Sequence, residues 1–393
     1  MGTILEGEFC SAEVFQEQID PKLKQQILNL LNNPITKDAI IKFMPDAHPG
    51  KFFPVGLYGE FKIENGIMPS LIGNDAGCGI TAAMIELPKK KFSFDKLDRV
   101  INNNIPTGRS NHHFVHDTYD NLFSGLTANV NRGIVWRSFN TLGSGNHFIE
   151  IDKDSDENYW LVVHSGSRYL GNAILEYWLN YCKSENSSDV YELGIIKDKE
   201  AIHKYVNDIH IAKKFADYNR DQIIKTICKK TGITIIDDHF INSCHNCIVE
   251  DNDDVIKRIN NDYDALFVKK GVSCGKTSIP VSVNPAEGHL LVKATNPEIN
   301  YSLPHGAGRA IARKEVANSH TVSEYKKDMK NSGIYCSTIT RDNLDECPKA
   351  YRNREYLEWS LEHFQLGLVI DEWKPVYVYK PKEWDNENYK EKK

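Results

Sequence analysis

Five short motifs carry side chains of the kind that bind metals, and four of them also contain glycine, whose backbone freedom allows tight turns. In chain order they are residues 73–79 (GNDAGCG), 143–148 (GSGNHF), 164–168 (HSGSR), 244–247 (CHNC) and 305–309 (HGAGR). They supply one carboxylate, one thiol and three imidazoles as candidate metal ligands, which are Asp75, Cys78, His147, His164 and His245. Borderline divalent ions such as manganese, zinc and cobalt accept this mixture of donors.

The size of this ligand set favours two ions over one. A closed structural zinc site takes four ligands, so five candidates are one too many. Two-metal sites hold their ions ~3.5–4 Å apart, and a shared thiolate from Cys78 would be deprotonated by the metal. Such a pair can neutralise phosphate oxygens, which is the dominant need in phosphoryl and nucleotidyl transfer.

His305 is left over from this ligand set. It precedes a glycine-rich loop that runs into a predicted helix within residues 306–318, where backbone N–H groups would form an anion site. Arg309 and Arg313 are four residues apart, so they are predicted to share one helix face and to grip phosphate. A neutral imidazole beside a phosphate can attack it and form a phosphoramidate. The alternative is that His305 only starts the helix and has no chemical role.

Each motif also has a purely structural explanation when it is taken alone. A histidine at a strand end is more often a hydrogen-bonded core residue, and GNDAGCG fits a tight turn around a buried thiol. The Cys244-x-x-Cys247 pair lacks the second pair that a zinc ribbon needs. Residues 271–277 miss the P-loop spacing by one residue, and β-type sequence follows them.

Local sequence patterns predict the elements that position these motifs. Amphipathic or polar-rich helices are expected over residues 12–32, 169–182 and 203–230, the last ending at Gly232. Strands and tight turns are expected over 52–87, and further strands over 159–163, 233–236 and 375–380. Residues 386–393 are expected to fray.

Composition narrows the class of protein. With 393 residues, 40% hydrophobic and 26% charged, the sequence is typical of a soluble globular protein, with no apolar run long enough for a bilayer and no signal-peptide pattern. Nine cysteines without a repeating framework predict reduced thiols and a cytoplasmic location. The net charge of −6 argues against coating nucleic acid by charge alone, although lysine doublets leave room for a local basic groove.

Taken together and in this order, the motifs resemble the RtcB family of RNA ligases. The resemblance runs from residues 45–50 (PDAHPG) to Lys380, and it includes residues 145–150 (GNHFIE), Asn219-Arg220 and Lys270-Gly271. It implies an α+β fold, in which one compact domain with mixed β-sheets and surrounding helices encloses a metal cleft. The domain is expected to span residues 1–393, with an ordered core of about 5–382 and a tail at 383–393.

The resemblance also implies roles for individual residues. His305 would attack the α-phosphate of GTP to give a covalent His–GMP, while Asp75, Cys78, His147, His164 and His245 would bind two Mn²⁺ ions bridged by the cysteine, with Zn²⁺ or Co²⁺ as substitutes. The implied nucleotide pocket comprises Asn146, His147, Phe148, Ile149, Glu150, His245, Asn246, Pro280, Val281, Ser282, Val283, His305, Gly306, Ala307, Gly308 and Lys380, with Lys380 reading guanine. The candidates for contacts with RNA or phosphate are Arg168, Arg309 and Arg313.

The implied reaction joins RNA ends. The enzyme would open a 2′,3′-cyclic phosphate, transfer GMP to the RNA 3′-phosphate, and let a 5′-hydroxyl attack, in RNA repair or tRNA splicing. Its partners would be RNA, GTP and a release-factor-like or activating protein, with no membrane. Two alternatives stay open, a metal-dependent RNA phosphoesterase or nuclease and a non-catalytic RNA-binding paralogue.

The sequence departs from the family pattern near the expected guanylate site. Residues 280–285 read PVSVNP where the family has Pro-Gly-Ser-x-Gly, and two extra residues precede Leu290. Losing two glycines removes backbone freedom close to the nucleotide. Tyr169 and Ala312 also replace a glycine and a serine of the family pattern. These departures place the chain with a compact, divergent branch and motivate the phosphoesterase alternative.

Overall fold

Most of the chain's apolar runs form strands. The computed structural model describes residues 2–114, 120–185, 194–248, 265–274 and 277–381, and the tail expected at 383–393 lies outside this part. The strands are β1 Thr3–Glu6, β2 Ser11–Val14, β3 Ile40–His48, β4 Val55–Lys62, β5 Gly79–Glu86, β6 Phe148–Lys153, β7 Tyr159–Ser165, β8 Thr234–Cys244, β9 Asn246–Ile248, β10 Ala265–Lys270, β11 Val272–Cys274, β12 Ile279–Ser282, β13 His289–Ala294, β14 Ser302–Pro304 and β15 Gly367–Tyr379.

These strands make two large sheets and one isolated pair within the described residues. One sheet has the order β1-β2-β3-β4-β10-β9, the second has the order β12-β13-β15-β6-β7-β5-β8, and β11 pairs with β14. The first sheet is mixed because β2 and β3 run parallel while its other neighbours are antiparallel. The second is antiparallel throughout. Successive side chains on each strand therefore alternate between the two faces of its sheet.

Helices cover these sheets. The α-helices are α1 Pro21–Leu31, α2 Pro69–Ile72, α3 Phe94–Asn104, α4 Arg132–Arg137, α5 Tyr169–Glu185, α6 Lys199–Thr231, α7 Arg313–Ser319, α8 Val322–Asn331 and α9 Arg354–His363. Short 3₁₀ helices lie at Pro34–Thr36, Ile63–Asn65, Asp120–Phe123, Pro297–Ile299, Arg341–Glu346 and Pro348–Ala350. The α+β prediction is confirmed.

Helix α6 is the longest described helix and lies against the seven-stranded sheet. Its 33 residues span about 50 Å at 1.5 Å per residue. Ile223, Ile224 and Ile227 pack into one buried cluster with Leu161 and Val163 of β7. The helix starts earlier than predicted because the Asp198 side chain accepts the backbone N–H of Ala201, and it ends at Gly232, which has a left-handed φ of 81°. None of the described helices combines the length and apolarity needed to span a membrane.

Two predicted helices are shorter in the structure. The expected helix over 12–32 is replaced by β2 and, after a connection, by α1, because Pro21 and the capping carboxylate of Asp20 fix the helix start. The expected helix within 306–318 begins only at Arg313, after a loop in which Gly308 has a φ of +79°. A Cβ at Gly308 would lie 2.9 Å from Asp46 Cα, so this loop is packed tightly against β3.

Candidate metal centre and adjoining cavity

Four of the candidate ligands lie at the ends of four neighbouring antiparallel strands, on one side of the seven-stranded sheet where these strand ends meet. Cys78 directly precedes β5 and His147 directly precedes β6, whereas His164 lies near the end of β7 and His245 directly follows β8. The register pairs His164 with both Ile80 and Phe148, and it pairs Gly79 with Cys244. Strand starts and strand ends therefore meet, which brings the four side chains together.

The ligand atoms form a continuous chain of short separations. Asp75 Oδ2 lies 3.6 Å from His147 Nε2, which lies 3.5 Å from Cys78 Sγ. The same sulfur lies 3.2 Å from His164 Nε2, and that nitrogen lies 3.2 Å from His245 Nε2. Atoms bound ~2.0–2.3 Å from one ion are roughly 3–3.7 Å apart, so these separations suit metal coordination. The thiol lies in the middle of the chain, with ligands on both sides.

Backbone carbonyls orient two of the imidazoles. His147 Nδ1 lies 2.8 Å from the carbonyl oxygen of Leu142, and His164 Nδ1 lies 3.2 Å from that of Asn146. Each Nδ1 therefore carries the donated proton, which leaves the Nε2 lone pair directed at the cluster. This arrangement fixes the tautomer that a metal requires.

Two residues of α6 hold the backbone beside the ligands. The Arg220 guanidinium is fully buried and donates from Nη1 to the carbonyl oxygens of Gly77 at 3.0 Å and Ser165 at 2.8 Å. Asn219 Nδ2 donates to the carbonyl oxygen of Thr141 at 3.0 Å. Gly77 and Ser165 adjoin Cys78 and His164, so Arg220 fixes two ligand-bearing turns at once. Arg220 belongs to the Asn219-Arg220 pair of the family resemblance, but no sequence pattern indicated this contact with the ligand-bearing turns.

Burial favours the neutral forms of His164, His245 and Cys78, whereas Asp75 stays ionised. Burial lowers the pKa values of His164 and His245 well below the ordinary histidine value, and neighbouring imidazoles lower them further. Burial, followed by the charge of Asp75, raises the pKa of the Cys78 thiol. Although burial opposes it, the neighbouring His147 ring holds the pKa of Asp75 below its usual range, so this ligand stays ionised. The imidazoles thus offer lone pairs, and a bound cation would displace the thiol proton.

His305 lies beside this cluster and contacts a carboxylate from the other sheet. Its ring centroid is 5.2 Å from that of His245, and its Nδ1 lies 2.6 Å from Asp46 Oδ2. Asp46 Oδ2 also accepts the backbone N–H groups of His305 at 3.1 Å and Gly306 at 3.2 Å. Burial lowers the pKa of His305, but the Asp46 charge outweighs it, so the pKa is raised overall. Sequence reasoning missed Asp46, although the PDAHPG motif contains it.

The predicted anion site is not found at residues 305–307. The N–H groups of His305 and Gly306 bind Asp46, and the N–H of Ala307 donates to the carbonyl oxygen of Ser282 at 2.8 Å. These donors stabilise the loop and are not directed at a ligand. The loop therefore serves to hold His305 in place.

Arg309 and Arg313 are not paired on one helix face as predicted. Arg309 precedes α7, so it does not share a helix face with Arg313. Both guanidinium groups contact the buried Glu346, with Nη1 to Oε1 distances of 3.4 Å for Arg309 and 2.7 Å for Arg313. Arg168 instead donates to the carbonyl oxygen of Gly108 at 2.7 Å, which stabilises the loops around the cluster.

A cavity adjoins the cluster on the side of His305. The predicted pocket residues that line it are Asn146, Phe148, Glu150, Ser282, Val283, His305, Gly306, Ala307, Gly308 and Lys380, together with His164, Arg309 and Arg313. Lys380 Nζ lies 5.0 Å from the centroid of the Phe148 ring and 3.3 Å from Glu346 Oε2. The cavity thus combines an aromatic face with charged groups.

Several predicted pocket residues do not line this cavity. Ile149 and Val281 lie in hydrophobic clusters, and Pro280 is buried in β12. Asn246 Nδ2 donates to the carbonyl oxygens of Ile72 and Asp75, while His147 and His245 belong to the metal cluster. The alternation of β6 explains Ile149, because Phe148 and Glu150 occupy the opposite face.

The cavity also contains residues that sequence reasoning did not assign. They are His48, Val55, Ile80, Asn284, Pro285, Gly288, His289 and Tyr351. The available signal was the altered stretch after Pro280, since Asn284, Pro285 and Gly288 belong to it.

Comparisons with known proteins match most of this chain. The family model described as tRNA-splicing ligase RtcB matches residues 26–140 and 128–381. The RNA-splicing ligase RtcB of Escherichia coli strain K12 is 24% identical over 370 residues, covering 85% of this chain and 88% of that protein. The tRNA-splicing ligase RtcB of Nanoarchaeum equitans is 21% identical over 452 residues, covering 95% and 94%. That of Methanococcus maripaludis is 22% identical over 465 residues, covering 95% and 94%.

Proposed function

Because the chain belongs to the RtcB family of tRNA-splicing ligases, we propose that it is a GTP- and manganese-dependent RNA ligase. It would join RNA 3′-phosphate or 2′,3′-cyclic phosphate ends to 5′-hydroxyl ends. The observation that carries the proposal is the placement of His305, which has the ligand cluster on one side and the cavity around it. A nucleotide in the cavity would meet the imidazole and the phosphate-neutralising centre together.

His305 would act as the nucleophile. The Asp46 carboxylate, 2.6 Å from Nδ1, would keep the proton on that nitrogen, so that Nε2 can attack with its lone pair, and would stabilise the positive charge that the ring gains during attack. A P–N bond to the α-phosphorus forms as the bond to the pyrophosphate leaving group breaks. The P–N bond then breaks as GMP passes to the RNA 3′-phosphate, and the 5′-hydroxyl attacks that activated phosphate to seal the strand and release GMP.

The five clustered ligands would hold two Mn²⁺ ions. The fit rests on the separations of 3.2–3.6 Å, on the two fixed tautomers and on the thiol between two imidazoles. Cys78 would thus be shared, with Asp75 and His147 on one side and His164 and His245 on the other. The bound ions would supply positive charge to phosphate oxygens. Zn²⁺ or Co²⁺ suits the same donors and would compete for the site.

The cavity would hold the nucleotide of the GMP intermediate. Phe148 offers a ring face, while Glu150 and Lys380 offer an acceptor and a donor suited to the edge of guanine.

The names of the relatives support RNA as the second substrate, in tRNA splicing or RNA repair. A release-factor-like or activating protein remains part of the proposal. The described cysteines form no disulfide, which supports a reducing compartment, and we place the protein in the cytoplasm.

The direct test is covalent labelling with GTP. Wild-type protein incubated with Mn²⁺ should retain label from α-phosphate-labelled GTP and none from γ-labelled GTP. The His305→Ala variant should lose the adduct, whereas His363→Ala, at an exposed histidine on α9, should keep it. An adduct on His305→Ala would contradict the assigned nucleophile. RNA cleavage without GTP would favour the phosphoesterase alternative, and a wild-type protein that binds manganese but forms no adduct would favour the non-catalytic paralogue.

A further inference from the structure

A second buried cluster of titratable groups adjoins the cavity and contributes Glu150 and His289 to its lining. Glu150 and Asp152 lie on the same face of β6, and His289 begins β13. His289 Nδ1 donates to Asp152 Oδ2 at 2.7 Å and lies 3.9 Å from Glu150 Oε2. All three residues are buried, and none of them is among the proposed metal ligands. The proposed reaction does not require His289 or Asp152.

The His289 ring has one nitrogen that the protein does not satisfy. Nδ1 is engaged with Asp152, but Nε2 is buried and has no hydrogen-bond partner within the described chain. Burial favours a neutral ring, yet the charges of Asp152 and Glu150 raise the pKa of His289 above its ordinary value. Because the ring lies 2.7 Å from one carboxylate and 3.9 Å from another, its imidazolium form is favoured, and in that form Nε2–H can donate. A buried donor without an acceptor is unfavourable, so a ligand atom that accepts this hydrogen bond would be favoured.

The Glu150 carboxylate offers the complementary group. It lines the same cavity, and its Oε2 lies 3.9 Å from His289 Nδ1. Burial, and then the negative charge of Asp152, raise the pKa of Glu150 to about 8. A ligand that brings N–H donors would stabilise its ionised form. The cavity lining thus presents a donor and an acceptor to one ligand.

We propose that His289, positioned by Asp152, selects the 6-oxo group of guanine in the nucleotide bound in this cavity. This inference rests on the proposed function and names the residue that sets its base specificity. Guanine offers an acceptor at O6 beside donors at N1 and the 2-amino group, which matches His289 and Glu150. Adenine has a donor at position 6 and an acceptor at N1. Its donor would face the His289 Nε2–H, and its acceptor would face the Glu150 carboxylate. Asp152 acts as a positioning residue because it fixes the orientation of the ring.

The loop before His289 explains how the histidine reaches the cavity. Asn284 Oδ1 accepts the N–H groups of Ala286 and Glu287, and Gly288 turns the chain with a φ of +74°. The N–H of Val283 donates to the carbonyl oxygen of Gly288 at 2.8 Å, which closes the turn. This turn belongs to the stretch that departs from the family pattern. A side chain that reads the base would therefore enter where the sequence has lost its backbone glycines.

A metal ion is the competing occupant of this cluster. One ligand atom from each of Glu150, Asp152 and His289 lies within 4.8 Å of the others, which a cation could use. Two observations favour the base. The 2.7 Å contact between Nδ1 and Asp152 is occupied by a proton, and Lys380 carries positive charge on the same cavity.

Equilibrium binding of nucleoside monophosphates to the full-length protein tests the proposal without turnover. GMP, IMP, AMP and 2-aminopurine ribonucleotide would be titrated calorimetrically into wild-type, His289→Phe, His289→Gln and Asp152→Asn proteins. The phenylalanine removes the donor while keeping a ring, so GMP and IMP should bind about 10- to 100-fold more weakly, as expected for one hydrogen bond from a charged group. Binding of 2-aminopurine ribonucleotide, which lacks the 6-oxo group, should change little. Glutamine should restore part of the GMP preference, because its amide can donate.

The outcomes separate this inference from the proposed function. An unchanged ratio of GMP to 2-aminopurine ribonucleotide affinity in His289→Phe would overturn the role of His289 even if the GTP adduct forms. Selective GMP binding that His289→Phe abolishes, in a protein that forms no adduct, would support the inference while the ligase proposal fails. Manganese bound by wild type beyond two ions per chain, and lost in both His289→Phe and Asp152→Asn, would overturn the inference in favour of a metal. If His289→Phe fails to fold, Asp152→Asn takes its place, because loss of the carboxylate charge disfavours the donating form of His289; an unchanged ratio of GMP to 2-aminopurine ribonucleotide affinity in Asp152→Asn would then overturn the inference.

Discussion

Replacing Asp46 by asparagine tests how His305 is prepared for attack. Asp46 is buried, accepts the backbone N–H groups of His305 and Gly306, and lies 2.6 Å from His305 Nδ1. Asparagine keeps the shape and the acceptor oxygen but removes the charge. Hydrogen bonds to charged groups contribute about 1.5–3 kcal/mol, against about 0.5–1.5 kcal/mol for neutral ones, so roughly 1–2 kcal/mol of stabilisation of the reacting imidazole is lost. At about 1.4 kcal/mol per tenfold in rate, adduct formation should slow about 5- to 30-fold.

Rapid-quench measurement of single-turnover adduct formation with α-labelled GTP provides the rate constant for this step. The affinity for GTP and the bound manganese should stay at wild-type values, because Asp46 is not among the five ligands. Asp342→Asn, at an exposed carboxylate, is the matched control and should react at the wild-type rate. If Asp46→Asn forms the adduct as fast as wild type does, the idea that Asp46 charge supports the nucleophile is wrong.

Three further predictions concern the ligand cluster and Glu346, the buried carboxylate that pairs with Lys380 of the cavity lining. Cys78→Ser should lower bound manganese from two ions per chain to one or none in elemental analysis, because the shared thiolate is lost; full occupancy would argue against sharing. Arg220→Lys should weaken manganese binding about 10- to 100-fold in a titration, because one ammonium cannot hold both ligand-bearing turns, and unchanged affinity would deny Arg220 this role. For Glu346, burial raises the pKa but Lys380 and other cations outweigh it and lower it to about 2, from 4.5. Glu346 therefore contributes about 3 kcal/mol above pH 4.5, more than half of it lost by pH 3, and Glu346→Gln should lack this component in urea unfolding.

The candidate metal ligands could be identified from the sequence because four of them lie at strand ends and most belong to glycine-containing motifs. His164 follows an evident β-type run, and Cys78 lies in a turn that leads into β5. Motif order alone then suggests that these ends meet. Alternation along β6 also separates Ile149 from Phe148 and Glu150, so the sequence pattern itself indicates that Ile149 faces away from the cavity.

Other features depend on contacts that sequence patterns do not encode. Asp46 and His305 are 259 positions apart and come from different sheets, so no local pattern connects them. The segment after His305 has the composition of a helix, but its packing against Asp46 delays the helix until Arg313. The partner of Arg309 and Arg313 proved to be Glu346, a residue that the motifs did not include. In each case a distant side chain overrides the local preference.

The buried guanidinium of Arg220 ties the longest helix to the cleft. Since it holds the carbonyls on either side of the ligand cluster, helix α6 and the metal ions would respond to each other during unfolding. Loss of the proposed ions would leave neutral imidazoles packed against one another. Local unfolding of α6 would release both ligand-bearing turns at once. Chelation should therefore loosen hydrogen-exchange protection along α6, far from any residue that touches an ion.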